Sequence, residues 1–189
     1  MDCVTVTQSI GMSARIEGLV SRAQNGDGDA FALLYQEYVN PIYRYTYLRV
    51  GQAGLAEDLT QEVFLRALQS IGSYRWKGKL FVSWLFRIAH NLIIDHYRRA
   101  KKNKCIPLAE TVTNVASDDP VATAEQRMEL SGLKRAIEKL PAQQREVISL
   151  RFGTDLSVAE TAVAIGKTEG TVKKLQYVAI AKLRKLMEK

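Results

Sequence analysis

Residues 84–102, WLFRIAHNLIIDHYRRAKK, combine aromatic, amide and cationic side chains, which can stack on bases, read base edges and bind phosphates. On a helix of about 100° per residue, Arg87, Asn91 and Arg98 fall within about 40° of one another. The apolar residues between them point elsewhere and should pack against the protein. An amide such as Asn91 reaches the pairing edge of a base only where that base is exposed. The segment therefore predicts a helix that reads and helps to open DNA.

The loop before this helix, SYRWKGKLFVS, places aromatic residues beside cations. The aromatic residues are Tyr74, Trp76 and Phe81, and the interleaved cations are Arg75, Lys77 and Lys79. Stacking an unpaired base on an aromatic ring is worth about 1–3 kcal/mol, which is comparable to the cost of unstacking it from a duplex. We expect Phe81 and Trp84 to be core residues that hold the loop in place. Trp76 is then the better stacking candidate.

The C-terminal stretch LSVAETAVAIGKTEGTVKKLQYVAIAKLRKLMEK has the layout of a helix-turn-helix. Ser157 and Glu160 have the spacing of a capping box, and Gly166 can supply the turn. Thr168 can cap the following helix. One face of that helix should pack inward through Val172, Leu175, Ala179, Leu183 and Leu186. The predicted DNA contacts are Lys167, Thr168, Thr171, Lys173, Lys174, Tyr177 and Arg184, with Lys182 as a further phosphate contact. A solvated basic face is the alternative.

The charge distribution supports a polyanionic partner. The chain of 189 residues has a net charge of +7 and a pI of about 9.4. Residues 87–104 hold six cations against one acid, and residues 167–189 hold seven against two. Residues 105–126 contain no Lys or Arg and four acids. Two basic blocks therefore flank an acidic connector.

Metal, disulfide and membrane chemistry have little support. Cys3 and Cys105 lack the spacing of a zinc site or a disulfide scaffold, and they fit a reducing cytoplasm. No cofactor or metal is expected. The N-terminus lacks the pattern of a signal peptide, and no run reaches the roughly 18 apolar residues of a membrane span.

Helical periodicity runs through nearly the whole chain, and the fold class predicted is all-α. We expect two helical domains, residues 15–102 and 124–189, joined by a flexible acidic linker at residues 103–123. Within the first domain, a helix should close at Asn25-Gly26. The next helical stretch should break before Pro41, and the third helix should end at Gly72.

The predicted third helix, DLTQEVFLRAL, has one polar side. That side carries Asp58, Glu62, Arg66 and Gln69, whereas Leu59, Val63 and Ala67 turn inward. A solvated helix with a Glu62–Arg66 pair worth about 0.3–0.5 kcal/mol explains this spacing, and a docking face for another protein is the functional alternative.

Four segments together resemble a known family over about residues 15–189. AEDLTQEVFLRAL, FVSWLFRIAHNLIIDHYRR, LPAQQREVISLRF and LSVAETAVAIGKTEGTVKKLQ resemble the signature segments of extracytoplasmic-function (ECF) sigma factors, small members of the sigma-70 family. These factors hold only the second and fourth conserved sigma regions. The resemblance implies a non-enzymatic factor that directs RNA polymerase core to promoters and assists promoter melting.

The resemblance also implies roles for particular residues. Asp58, Gln61 and Glu62 would bind the clamp helices of the largest polymerase subunit. The minus-ten element would be contacted by Trp76, Lys77, Lys79, Arg87, Asn91, Arg98, Arg99 and Lys101. The C-terminal domain would read the minus-thirty-five element and dock on the flap of the second-largest subunit. The connector would thread through the polymerase, and an anti-sigma factor would silence the protein.

Two departures from the family pattern bear on these roles. Many relatives have an Arg where this chain has Val178, which removes one expected backbone contact. The loop sequence WKGKL also differs from the short polar loop common in the family, so the identity of the captured base stays open.

Two other functions compete. An autonomous helix-turn-helix regulator explains residues 157–189 but leaves residues 58–102 without a role. A nuclease or other enzyme has less support, because His90 and His96 lie on poorly aligned faces of one helix and no acid cluster accompanies them.

Overall fold

The computed structural model describes residues 3–75, 80–102, 132–133 and 135–187. The helices are α1 (Cys3–Gln24), α2 (Gly28–Val50), α3 (Ala53–Ser70), α4 (Leu80–Lys102), α5 (Ala142–Gly153), α6 (Val158–Ile165) and α7 (Glu169–Met187). A 3-10 turn, Ile71–Ser73, follows α3, and residues 135–138 are helical ahead of α5. No strand occurs in these described ranges, and the all-α prediction is confirmed.

The junction between α1 and α2 follows the predicted local signals. α1 ends at Gln24, and Gly26 adopts a φ of 88°, which favours glycine. Asp27 then caps α2, because its Oδ1 accepts a hydrogen bond of 3.0 Å from the Ala30 amide. The hydrogen bond from the Ala30 amide is the largest cause that holds the pKa of the Asp27 carboxyl below its usual value, and the hydrogen bond from Arg22 is the second.

The predicted break before Pro41 is wrong, because α2 continues through the proline. A proline inside a helix costs about 3 kcal/mol. Leu34, Ile42 and Tyr45, on either side of it, are fully buried. Burying a large apolar side chain stabilises the fold by about 1.5–3 kcal/mol, so the packing on both sides of Pro41 outweighs its cost.

The predicted end of the third helix at Gly72 is also wrong. α3 ends at Ser70, and Gly72 lies inside the 3-10 turn. Ile71 is buried there, and its carbonyl oxygen accepts a hydrogen bond of 3.0 Å from the Gln24 side-chain amide. A long-range side chain thus satisfies the helix end, and no left-handed glycine is needed.

The loop into α4 is shorter than predicted. SYRWKGKLFVS was expected to be loop throughout, but α4 already includes Leu80 to Ser83. Phe81 explains the early start, because it is 2% exposed and packs against the rings of Tyr38 and Tyr74. Docking this side chain into the core favours a helical backbone from the first turn.

The predicted helix-turn-helix is present in α6 and α7. Both bonds of the capping box form between Ser157 and Glu160, and Gly166 adopts a φ of 64°. The Thr168 hydroxyl accepts a hydrogen bond of 3.3 Å from the Thr171 amide, which caps α7 as predicted. The connector at residues 103–123 and the predicted resumption of helix at residue 124 lie outside the described residues.

The N-terminal and C-terminal helices share one hydrophobic core. α4 packs against α6, and α2 packs against α5. Tyr45 and Phe86 belong to the same buried cluster as Leu150, Ile165 and Val172. This packing places the two basic helices, α4 and α7, on one compact body. None of the helices in the described part of the chain is long and apolar enough to cross a bilayer.

Candidate nucleic-acid interface

α4 separates an apolar face from a polar one. The residues of its packed face are Leu85, Phe86, Ala89, Leu92 and Ile93, all buried. Arg87, Asn91, Arg98 and Arg99 are exposed. Arg98 forms an exposed pair with Asp95 at 3.2 Å, which is too weak to tie it down. The predicted separation of packed apolar residues from exposed polar residues on this helix is therefore present, and these four side chains can reach a ligand. The side chain of Lys101 lies outside the described residues.

Three aromatic rings form a cluster where the loop enters α4. The ring centroids of Tyr74 and Trp84 lie 4.9 Å apart, and Phe81 lies 5.4 Å from Tyr74 and 5.6 Å from Trp84. Phe81 is buried, as expected, whereas Trp84 is half-buried. Its remaining surface lies about one helical turn before Arg87 and about two turns before Asn91. The stacking and phosphate candidates Trp76, Lys77 and Lys79 lie outside the described residues.

Gln24 anchors this aromatic cluster from α1. Its side-chain amide donates hydrogen bonds to the carbonyl oxygens of Ile71, at 3.0 Å, and Tyr74, at 2.6 Å. Sequence reasoning missed this residue, because nothing near Gln24 in the chain signals contacts 47 and 50 residues away. The anchor fixes where the loop begins.

α7 presents its basic side to solvent. Val172 and Ala179 are fully buried on the opposite side, which confirms the predicted inward face. Lys167 is half-buried, and the exposed candidates are Thr168, Thr171, Lys173, Lys174, Tyr177, Lys182 and Arg184. Tyr177 is 77% exposed, so its ring and its phenol group are accessible to a ligand. Most of the residues predicted to contact the minus-thirty-five element are thus exposed.

The polar side of α3 has an apolar component that sequence reasoning missed. Asp58 and Gln61 are exposed, and Glu62 is half-buried and accepts a bond of 2.7 Å from Arg66. Leu65 and Leu68 are 51% and 50% exposed on the same helix. Acidic and apolar side chains together suit a protein partner better than a nucleic acid. Leu65 and Leu68 lie at helical positions offset from the buried ones, and this offset could have indicated the exposed apolar surface from the sequence.

A buried polar cluster joins the two halves of the molecule. Glu146 of α5 accepts a hydrogen bond of 3.3 Å from the Tyr45 hydroxyl, bonds to His90 Nδ1, and lies 3.9 Å from Arg49. We call Tyr45, Arg49, His90 and Glu146 the seam cluster. Burial and then the Glu146 carboxylate raise the pKa of Tyr45, so the phenol stays protonated and donates. Sequence reasoning considered His90 only as a possible enzyme residue and missed this contact.

Comparisons with known proteins identify the family of this chain. The sigma-70 region 2 model matches residues 34–103, and the sigma-70 region 4 model matches residues 136–185. The chain is 43% identical over 176 residues to the ECF RNA polymerase sigma factor BldN of Streptomyces coelicolor, covering 93% of this chain and 67% of that protein. It is 34% identical over 176 residues to the ECF sigma factor SigD of Mycobacterium tuberculosis, covering 90% and 82%. The chain belongs to the ECF sigma factors.

A solved structure shares the fold of this ECF sigma factor. CnrH, in complex with the cytosolic domain of CnrY, aligns with a TM-score of 0.72 at 23% identity, covering 92% of this chain and 97% of that one. The family assignment confirms the predicted function: the protein directs RNA polymerase to promoters in transcription initiation. It accounts for residues 58–102, which an autonomous helix-turn-helix regulator would leave without a role.

Proposed function

We propose that this sigma factor divides promoter recognition between two exposed basic helices, α4 at the minus-ten element and α7 at the minus-thirty-five element. The observation that carries the proposal is that α4 and α7 have the same arrangement of side chains. Each helix buries an apolar face, and each exposes cations together with an amide, a hydroxyl or a phenol group. Phosphate contacts position such a helix, and the neutral polar groups read bases. The protein itself performs no bond chemistry in this proposal and acts in the cytoplasm with the polymerase.

The proposed melting step is centred on Asn91. Its amide is exposed on α4, between Arg87 and the basic end of the helix. A base flipped from the stack can be read on its pairing edge, and a stacking ring compensates for the lost base stacking. The half-buried Trp84 and the loop residue Trp76 are the proposed rings. Arg98, Arg99 and Lys101 are proposed to hold the adjacent backbone.

The proposed upstream reading uses the first turns of α7. Thr171, Lys173 and Lys174 lie there, and Tyr177 lies one turn further on. A recognition helix presents these positions to base edges in the major groove, and we propose that Lys173 also contacts a phosphate at the groove edge. Lys167, Thr168 and Arg184 are proposed to contact phosphates on either side, with Lys182 beside them. Val178 is exposed on the same helix but carries no charge, so we expect no phosphate contact from it.

We propose that α3 binds the clamp helices of the largest polymerase subunit. Asp58, Gln61 and Glu62 supply the polar contacts, and the exposed Leu65 and Leu68 supply apolar area beside them. The C-terminal domain is proposed to dock on the flap of the second-largest subunit. The acidic connector, residues 103–123, is proposed to thread between these contacts.

An anti-sigma factor is the further proposed partner. RpoE of Bartonella quintana was solved in complex with the anti-sigma factor NepR, and this chain has its fold, with a TM-score of 0.66 at 23% identity. A partner that covers α3 or the basic face of α4 would block the proposed polymerase and promoter contacts. We therefore propose that such a protein holds this sigma factor inactive until a signal releases it.

Run-off transcription tests the proposed function. Core polymerase with this protein should produce transcripts from promoters selected out of genomic DNA by the reconstituted holoenzyme, and core alone should not. The double variant Asp58→Ala/Glu62→Ala should fail to co-purify with core, whereas Glu138→Ala, at an exposed residue outside the proposed contacts, should bind normally. A protein that binds the selected DNA but never associates with core would instead be an autonomous regulator.

A further inference from the structure

An apolar side chain lies exposed among the cations of α4. Ile94 is 37% exposed to solvent. The partly buried apolar residues in the described part of α4 that pack against the core are Val82, Trp84 and Ile88, and Ile94 lies outside this set. The side chain of Ile94 is therefore available to a ligand of this helix.

The neighbours of Ile94 on the surface of α4 are residues proposed to contact the minus-ten element. At about 100° per residue, Ile94 lies within about 60° of Arg87, Asn91 and Arg98. Asn91 precedes Ile94 by about one helical turn, Arg98 follows it by about one turn, and both are exposed. The neighbouring acid, Asp95, lies 3.2 Å from Arg98, which offsets its charge. Ile94 thus lies inside the proposed DNA-binding face.

The charges around an exposed apolar side chain indicate the kind of partner that covers it. On α3, the exposed Leu65 follows the acids Asp58 and Glu62, and that surface suits a protein. Ile94 instead lies between the cations Arg87 and Arg98, which attract phosphates. Phosphate contacts hold a helix against the duplex and bring its other side chains to the base edges. The partner that fits Ile94 is therefore the promoter itself.

Thymine presents the chemical group that an isoleucine can distinguish. Its 5-methyl group projects into the major groove, where the other bases offer hydrogen-bond donors and acceptors. The side chain of Ile94 has no donor or acceptor, so it can favour a base only through an apolar contact. A β-branched side chain is also stiff at χ1, so it loses little freedom when it makes that contact.

The spacing of Ile94 from Asn91 indicates which base pair is in reach. Three residues of helix correspond to about 4.5 Å along the axis of α4. Successive base pairs in a duplex lie about 3.4 Å apart. The distance from Asn91 to Ile94 therefore corresponds to about one base step from the base that Asn91 is proposed to capture.

We propose that Ile94 reads the 5-methyl group of a thymine in the base pair next to the captured base. The inference rests on the proposed placement of α4 at the minus-ten element and adds a specificity-determining residue to it. Burying one methyl group against an apolar side chain changes an equilibrium constant about fourfold. The contact therefore selects among sequences, whereas the cations supply the general affinity.

Replacing thymine by uracil tests the proposal, because deoxyuridine lacks the methyl group and keeps the pairing edge. Each thymine of the minus-ten element is replaced in turn, in promoters selected out of genomic DNA by the reconstituted holoenzyme. At one position, wild-type holoenzyme should bind the uracil promoter about fourfold more weakly than the thymine promoter. Holoenzyme with Ile94→Ala should bind both promoters equally. Uracil alters the free duplex identically for every protein, so the difference between the two proteins measures the contact.

Two variants control for side-chain shape and for loss of exposed apolar surface. Ile94→Val keeps a branched apolar side chain and should retain part of the discrimination. Leu33→Ala removes an apolar side chain that is 39% exposed on α2, outside the proposed contacts, and should discriminate as the wild type does.

The outcomes separate this inference from the proposed function. If no thymine position shows discrimination by wild-type holoenzyme, or if Ile94→Ala retains the discrimination in full, the inference is wrong while the proposed function stands. If wild-type holoenzyme opens none of the selected thymine promoters, the proposed function is wrong and the inference is overturned with it.

Discussion

The side-chain amide of Gln24 donates a hydrogen bond of 2.6 Å to the carbonyl oxygen of Tyr74, 50 residues further along the chain. The Tyr74 ring in turn packs against Phe81 and Trp84 at the start of α4. α1 therefore fixes the first residues of the loop that is proposed to capture a base. A loop anchored at its start loses less conformational entropy when it closes on a ligand.

The first prediction concerns this anchor. Gln24→Ala removes two hydrogen bonds to the loop, and a hydrogen bond contributes about 1 kcal/mol net. If the energy of both bonds, about 2 kcal/mol, is lost in the step that opens DNA, the open-complex level should fall about thirtyfold with little change in duplex binding. Reactivity of unpaired thymines measures the open fraction. Asn25→Ala is the matched control, because among the described residues the Asn25 side-chain amide bonds to the Ser21 carbonyl oxygen of α1 and not to the loop. Equal effects of the two variants would contradict the anchor.

The second prediction separates base capture from duplex binding. Asn91 is exposed on α4, so its replacement should leave the fold intact. Asn91→Ala should weaken promoter opening more than it weakens duplex binding, because the amide reaches a base edge only after unpairing. The matched control is Glu57→Ala, which changes an exposed residue of α3 outside the proposed contacts. A variant that binds duplex and opens promoters with equally reduced efficiency would show that Asn91 contributes general affinity instead.

The third prediction concerns α7. Lys173 is exposed near the start of the helix, and its pair with Glu169, at 3.9 Å, is weak. Lys173→Ala should weaken binding of upstream-element DNA, and the slope of log affinity against log salt should flatten by about 0.9 if one phosphate contact is lost. Lys139→Ala removes an exposed cation from outside α7 and should leave the slope unchanged. An unaltered slope for Lys173→Ala would contradict a phosphate contact at this position.

Features that depend on neighbouring residues could be predicted from the sequence. The capping box of Ser157 and Glu160 and the turn at Gly166 are determined within a few residues, and both are present. The exposed position of Asn91 follows from the apolar period of α4. These signals act over one or two helical turns, which is the range that a sequence pattern encodes.

Features that depend on tertiary contacts could not be predicted. Pro41 remains helical because residues on both sides of it are buried. α3 does not end at Gly72, because the Gln24 side chain donates a hydrogen bond to the Ile71 carbonyl oxygen at the end of that helix. The contact of His90 with Glu146 joins positions 56 residues apart and has no local signature. Burial and long-range hydrogen bonds determine these features, and neither is visible in a single sequence.

The last prediction concerns the capping box and links local structure to the arrangement of the two halves. The Ser157 hydroxyl accepts a hydrogen bond of 3.2 Å from the Glu160 amide, and the Glu160 carboxylate accepts one of 2.9 Å from the Ser157 amide. Ser157→Ala should lower the free energy of unfolding by about 1 kcal/mol, as measured by urea titration with circular dichroism. Ser157→Asp retains a side-chain acceptor at a helix N-terminus and should keep most of the stability. Because α6 packs against α4, the loss should also appear in an α4 probe such as Trp84 fluorescence, with the same midpoint. Separate midpoints would show that the two halves unfold independently.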